Sequence, residues 1–230
     1  MPGRLYAIGD VHGCSFALRT LIEAIAPDPE DTLVFLGDVV DYGPDSKGVI
    51  EQLMALEQRC DLLLIQGNHE EMLFRAVDGK DDYRLWLRCG GDATVRNYPN
   101  QDHRMPIDPA HFRFLKDGCR DYHETEDFLF VHANYYPNRR MSEQSGQILR
   151  WEFVEPGRMA PHFSGKSVIA GHTPQTNGEV LDLGFLTLID TDASRQGWLT
   201  ALEVRTRDVI QTNQNGHVRR SRLASADRPE

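Results

Sequence analysis

No stretch of the sequence approaches the roughly 18 consecutive apolar residues that mark a membrane-spanning helix, so contact with a membrane of that kind is not expected. A signal-peptide core is missing too: the first residues run straight into a short strand-like segment, Leu5 to Ile8. Positive charge is scarce. Against 35 Asp and Glu stand 25 Lys and Arg, a formal net charge of −10. That balance argues against a nucleic acid polymer or an anionic membrane surface as partner, because both need positive protein surface. It leaves room for a small phosphorylated substrate, since a metal site brings its own positive charge. Paired cysteines are also absent. Cys14, Cys60, Cys89 and Cys119 are scattered, with no C-x-x-C, which reads as four reduced thiols in a cytoplasmic protein. No repeat and no linker-like stretch interrupts the chain. One domain over 1–220 is expected, with a polar, flexible tail over 221–230.

What is present is an alternation of strand-like and helix-like patterns. Leu5 to Ile8, Leu33 to Leu36 and Leu62 to Ile65 are short apolar runs. Between them, Leu18, Leu21, Ile22 and Ile25, and then Val49, Ile50, Leu53, Met54 and Leu56, recur at helical spacing, the second helix with Ser46 as its expected N-cap. This βαβαβ order implies an α/β fold with a parallel sheet covered by helices. A helical insert is expected over about 70–118, with Asp108-Pro109 opening its last helix. Strands return at Phe128 to Val131, Ser167 to Ala170, Phe185 to Ile189 and Leu199 to Val204. A hairpin follows around Asn213-Gln214-Asn215-Gly216.

Three of the strands run into glycine and then into metal-type ligands: Gly9-Asp10-Val11-His12-Gly13, Gly37-Asp38-Val39-Val40-Asp41 and Gly67-Asn68-His69-Glu70. Two more end in histidine: Val131-His132 and Gly171-His172. In an open α/β sheet the loops after the carboxyl ends of the strands meet at one crevice, and glycine beside a ligand permits close backbone approach. One Gly-Asp is commonly a turn and one histidine commonly a satisfied polar residue. Five such strand ends in one chain are not explained that way. Carboxylate oxygen and imidazole nitrogen without thiolate suit Mn²⁺, Fe or Zn²⁺ better than Ca²⁺ or Cu⁺.

The set GDVHG (9–13), GDVVDYGPDS (37–46), GNHE (67–70), VHA (131–133) and GHT (171–173) resembles the calcineurin-like metallophosphoesterases. The resemblance is strongest to bacterial and phage serine/threonine protein phosphatases and symmetrical diadenosine tetraphosphatases. It runs from residue 4 to about 204. It implies a β-sandwich flanked by helices and two divalent metal ions, Mn²⁺ foremost. By motif, Asp10, His12 and His172 would hold one ion, Asn68 and His132 the other, and Asp38 would bridge them. His69 would protonate the leaving oxygen, oriented by Asp41. Two cations about 3.5–4 Å apart can activate a shared water and bind phosphoryl oxygens, so no Ser or Cys nucleophile is implied and Cys14 reads as packing. The implied reaction is hydrolysis of a phosphomonoester on a phosphorylated protein or a small molecule. The alternatives are cleavage of a diphosphate or diester bond, as in dinucleoside polyphosphates, and a metal-binding scaffold with little turnover.

The chain departs from that pattern where phosphate would be held. Close protein-phosphatase relatives usually read Asp-Arg-Gly where this chain has Asp41-Tyr42-Gly43, and many read Arg-Gly-Asn-His where it has Gln66-Gly67-Asn68-His69. Two phosphate-binding arginines are therefore replaced by the neutral hydrogen-bonding residues Tyr42 and Gln66, and Tyr42 is an expected substrate contact. Arg150, in Leu149-Arg150-Trp151-Glu152, either takes their place or lies on the surface paired with Glu152 or Glu155. Asn134, Tyr135 and Tyr136 either line a substrate groove or close a loop.

Overall fold

In the first 65 residues apolar runs too short for helices alternate with amphipathic segments, and they fold as a parallel unit. The computed structural model describes residues 3–224. Strand β1 (Leu5–Ile8), helix α1 (Ser15–Ile25), β2 (Thr32–Phe35), α2 (Ser46–Leu56) and β3 (Asp61–Ile65) follow in order. β1 pairs with β2 and β2 with β3, both in parallel, with Tyr6 opposite Leu33 and Val34 opposite Leu63. All of β1 is buried, as a strand covered on both faces requires. α1 turns Ala17, Leu18, Leu21 and Ile25 inward, and α2 turns Val49, Ile50, Leu53 and Leu56 inward.

The N-cap of α2 is Asp45 rather than Ser46. The Asp45 carboxylate accepts from the Gly48 amide at 2.8 Å, the charge suiting the positive helix end. Ser46 is instead buried in the first turn, where its hydroxyl accepts from the Asp41 amide at 3.1 Å.

The insert is largely helical. It comprises α3 (Asn68–Ala76), α4 (Lys80–Trp86), a π turn over Leu87–Gly91, α5 (Asp92–Arg96) and α6 (Pro109–Gly118). Asp108 caps α6 through the Ala110 amide at 2.7 Å, with Pro109 in the first turn. Next come β4 (Cys119–Arg120), β5 (Tyr122–Glu124), β6 (Phe128–Val131), α7 (Gly146–Arg150) and β7 (Ser167–Ala170). The chain continues through β8 (Leu181–Asp182), β9 (Leu186–Leu188), β10 (Leu199–Glu203), β11 (Asp208–Thr212) and β12 (Val218–Arg222).

The strands form two sheets, ordered β12-β11-β10-β1-β2-β3-β4 and β5-β6-β7-β9-β8. Ala7, Val34, Leu63 and Ile65 from the first share one apolar cluster with Phe130 and Ile169 from the second, so the sheets face each other as a sandwich. The alternate residues Leu33 and Phe35 pack outward under α1 and α2. Leu129 and Val131 pack outward beside Ile148 and Leu149 of α7. A period of two thus serves two cores from each strand. β12 carries the paired structure through Ser221 and Arg222, past the expected end of the domain at 220. The rest of the expected tail, 225–230, lies outside the described residues.

Candidate active site

The carboxyl ends of β1, β2, β3, β6 and β7 open onto one cleft, whose lining includes Asp10, His12, Asp38, Asn68, His69 and His172. Sharp turns put them there. His12, Asp38, Asp41 and His172 all have φ between 44° and 72°, a left-handed conformation that non-glycine residues hold only when the surroundings enforce it. Glycines make room beside them. A Cβ on Gly67 would stand 2.0 Å from Asp38 Oδ1, and one on Gly171 would stand 2.2 Å from Asp10 Oδ1. Glu70 ties two of the loops together. Its buried carboxylate accepts from the amides of Asp38, Val39 and Gly67 at 2.8–2.9 Å.

The histidine tautomers are set by backbone carbonyls, which can only accept. His12 Nδ1 donates to Val40 O at 2.9 Å, His132 Nδ1 to Leu36 O at 2.8 Å, and His172 Nε2 to Trp151 O at 3.2 Å. The other nitrogen of each ring therefore presents a lone pair. His132 Nε2 stands 3.0 Å from Asn68 Oδ1 and 3.1 Å from His172 Nδ1. It is also 3.4 Å from Asp38 Oδ2, while His12 Nε2 is 3.6 Å from the same oxygen. Burial pushes all three imidazoles down, His12 to about 3 and His172 to about 4, so protons do not fill these gaps. Burial, together with the neighbouring Asp190 and Asp38 charges, pushes the Asp10 carboxyl up; Asp38 is raised by burial and by Glu70. Imidazole lone pairs crowded against carboxylates that burial disfavours as bare anions are a set that fits cations, which would offset that burial cost.

The grouping differs from the expected one. His172 stands with His132 and Asn68, not with His12, because Trp151 O holds its Nε2 and aims Nδ1 at His132. Asp38, His132 and His172 place ligand atoms within 4.8 Å of one another. Asp10 meets His172 only through the backbone, its carboxylate accepting the His172 amide at 3.2 Å.

His69 is oriented from behind. Its Nδ1 lies 2.8 Å from Asp41 Oδ2, and its Nε2 lies 4.0 Å from Asp38 Oδ2. Asp41 also accepts from Trp86 Nε1 at 2.8 Å and from the Thr94 hydroxyl at 2.7 Å. Both partners come from the helical insert, Trp86 ending α4 and Thr94 lying in α5. Complete burial pushes the Asp41 carboxyl up to about 7, with the Thr94 and Trp86 bonds pulling back; burial pushes His69 down to about 3. Three donors converging on Asp41 hold it as the acceptor. The resting imidazole is therefore neutral, its proton on Nδ1.

Tyr42 lines the cleft. It is 45% exposed, with its ring edge-on to His12 and His69 at 5.0 and 4.9 Å between centroids. The other two expected substrate contacts do not face it. Arg150 donates to Glu71 Oε2 and to Asp121 Oδ1, both at 2.6 Å. Its charge is neutralised where α7 meets α3, so neither the phosphate contact nor the pairing with Glu152 or Glu155 is formed. Asn134 is buried. It donates to Phe153 O at 3.1 Å and accepts the Tyr135 amide at 2.7 Å, which closes the loop rather than lining a groove. Cys14 is buried among α1 side chains, its thiol pushed up to about 12 by burial, in keeping with packing.

Several cleft residues are not among those expected from the sequence. Asp190, buried beyond β9, follows an apolar strand just as Asp10 and Asp38 do, and that was its available signal. Phe153 stacks on His172 at 4.7 Å with a 15° interplanar angle. Asp192, Ser194 and Arg195 form the rim after Asp190.

Comparison with known proteins identifies the family. The profile of the calcineurin-like phosphoesterase family matches residues 3–184. A symmetrical bis(5'-nucleosyl)-tetraphosphatase from Acidovorax sp. (strain JS42) is 40% identical over 192 residues, 83% of this chain and 62% of the relative. Serine/threonine-protein phosphatase 1 of Salmonella typhimurium is 37% identical over 95 residues, 40% of this chain and 41% of that protein. The chain thus covers less than two thirds of the length of these curated relatives. Among solved structures, the cold-active protein-tyrosine phosphatase of a psychrophile, Shewanella sp., matches with a TM-score of 0.68 at 18% identity, covering 96% of this chain and 80% of that one. That likeness concerns the fold. Among the described residues no helix is long and apolar enough to cross a membrane.

Proposed function

The chain belongs to the calcineurin-like phosphoesterase family, and on that premise we propose that it is a metal-dependent phosphatase hydrolysing phosphomonoesters, on a phosphorylated protein or a small molecule. Asp10, His12 and Asp38 would hold one divalent ion; Asp38, Asn68, His132 and His172 would hold the second. The mixed oxygen and nitrogen donors favour Mn²⁺, with Fe and Zn²⁺ also compatible. Such a pair, when bound, supplies an activated water and positive charge for the phosphoryl oxygens. The chain's own part lies with His69. Its Nε2 faces the cleft, takes up a proton as the anionic substrate arrives, and gives it to the leaving oxygen. Asp41 keeps the ring in that orientation and offsets the positive charge the ring then carries.

The observation that carries this reading is the buried Asp41 carboxylate bonded at once to His69, Trp86 and Thr94. A metal-binding scaffold has no use for a fixed imidazole beside its ions. The four free cysteines support a reducing, cytoplasmic setting.

A second reading, cleavage of a diphosphate bond in a dinucleoside polyphosphate, is favoured by one observation: the tetraphosphatase alignment spans 83% of the chain. Initial rates with Mn²⁺ on p-nitrophenyl phosphate, bis-p-nitrophenyl phosphate, a phosphopeptide and diadenosine tetraphosphate separate the two. Preference for the monoesters supports the proposal. Preference for the tetraphosphate moves the assignment to the second reading, and no turnover of any of them defeats both.

A further inference from the structure

We propose that Arg195 is the substrate-binding residue that grips the phosphoryl group on the side away from the metal ligands, in place of the arginines missing at positions 42 and 66. The proposal rests on the phosphatase reading of the same cleft. A phosphomonoester dianion held only by cations leaves an oxygen facing outward, and a charged donor there adds both affinity and orientation. Tyr42 and Gln66 are neutral, and Arg150 is bound to two carboxylates. Among the described residues that line the cleft, Arg195 is the one Lys or Arg.

Its placement is a built feature of the fold. Arg195 ends a short turn, Ala193–Arg195, between β9 and β10. Asp192 and Gln196 flank that turn, both left-handed, with φ of 62° and 73°. The Arg195 and Gly197 amides both donate to Asp192 O, at 3.1 and 3.0 Å. The Asp192 amide in turn donates to Asp190 Oδ1 at 3.0 Å. The turn is therefore locked to a carboxylate of the cleft itself, and strained backbone of this kind persists where surrounding bonds enforce it.

The side chain reaches the reacting end of the cleft. The guanidinium carbon lies 5.8 Å from the centroid of the Tyr42 ring, and that ring packs edge-on against both His12 and His69. Tyr42 thus fills the position of an absent arginine and serves as the surface on which Arg195 rests. The guanidinium has no carboxylate within 4.0 Å among the described residues, unlike Arg150. An exposed, unpaired guanidinium retains its donors for a phosphate, and its planar fork matches two phosphoryl oxygens.

The test uses the Mn²⁺-loaded protein, with Arg195→Gln and Arg195→Lys. Removing a charge-assisted contact to phosphate should raise KM for p-nitrophenyl phosphate about tenfold or more. The rise for bis-p-nitrophenyl phosphate should be clearly smaller, because the diester carries one negative charge fewer. Lys should restore part of the loss. Calorimetric titration with inorganic phosphate should show the same weakening in Arg195→Gln, with metal content and melting temperature unchanged. Equal phosphate affinity in wild type and Arg195→Gln, or equal KM changes for monoester and diester, overturns the assignment. If the wild type turns over none of the substrates, the phosphatase reading fails by itself, and phosphate titration of the two proteins still decides for or against Arg195.

Discussion

Asp41→Asn should slow the enzyme while leaving the fold as stable or more so. The substitution preserves the shape of the network. The amide oxygen of the introduced side chain can still accept from His69 Nδ1 and Trp86 Nε1, as Asp41 Oδ2 does at 2.8 Å. The new NH₂ group then faces Thr94, whose hydroxyl can accept from it and turn to donate to Ser46 Oγ, 2.9 Å away. What disappears is the charge. Bonds to a charged group exceed neutral ones by about 1–1.5 kcal/mol, and that support is needed most when His69 becomes an imidazolium. A fall in kcat of roughly 5–13-fold on an alkyl phosphate is expected. Stability should move the other way. Burial raises the folded Asp41 carboxyl from 3.8 to about 7, so the folded state holds this proton more tightly than the unfolded chain. The wild type therefore loses stability as pH rises from about 4 to about 7, by at most on the order of 4 kcal/mol. Asp41→Asn escapes that loss, so its advantage in melting temperature should be greatest above pH 7 and vanish below pH 4. Steady-state kinetics and thermal unfolding across pH 4–8 read both effects. An unchanged kcat on the alkyl phosphate, or a melting temperature well below wild type at pH 8, would refute the reasoning.

His69→Asn should keep the metal content and lower kcat by roughly 10²–10⁴, less for p-nitrophenyl phosphate, whose leaving group barely needs a proton; equal losses on it and on an alkyl phosphate would assign His69 to positioning alone. Asp38→Asn should be the most damaging ligand change, since a neutral amide between two cations holds neither well; two bound ions and full activity in that variant would remove the bridge. Arg150→Ala should leave KM for phosphomonoesters unchanged but lower stability by about 1–3 kcal/mol, because Glu71 and Asp121 both lose their guanidinium; a raised KM with unaltered unfolding would return Arg150 to the cleft.

Local signals carried much of this architecture. The apolar runs at Leu5, Leu33 and Leu62 give three parallel strands, and the glycine-then-ligand segments after them are local because the turn that aims each ligand is made by the same few residues. Asp190 escaped because its strand end lacks the neighbouring glycine. Trp86 and Thr94 could not be read along the chain. Each reaches Asp41 across at least 45 residues, in a contact set by how the insert folds back. Arg195 depends on the crossing from β9 in one sheet to β10 in the other and on two left-handed residues that carry no glycine signal. Arg150 was misplaced because a shift of position on a short helix such as α7 changes which carboxylates its side chain meets. The cap of α2 shows the same limit on a smaller scale. Asp45 and Ser46 are both good caps, and the Asp41 network draws Ser46 inward.

The paired acceptor clusters around Asp38 are the centre of the proposed chemistry, and one titration tests them. Protein stripped by a chelator should not hydrolyse p-nitrophenyl phosphate, and stepwise addition of Mn²⁺ should restore the rate to a plateau at two ions per chain. Full activity in the stripped protein, or a rate that Mn²⁺ does not change, would contradict that role.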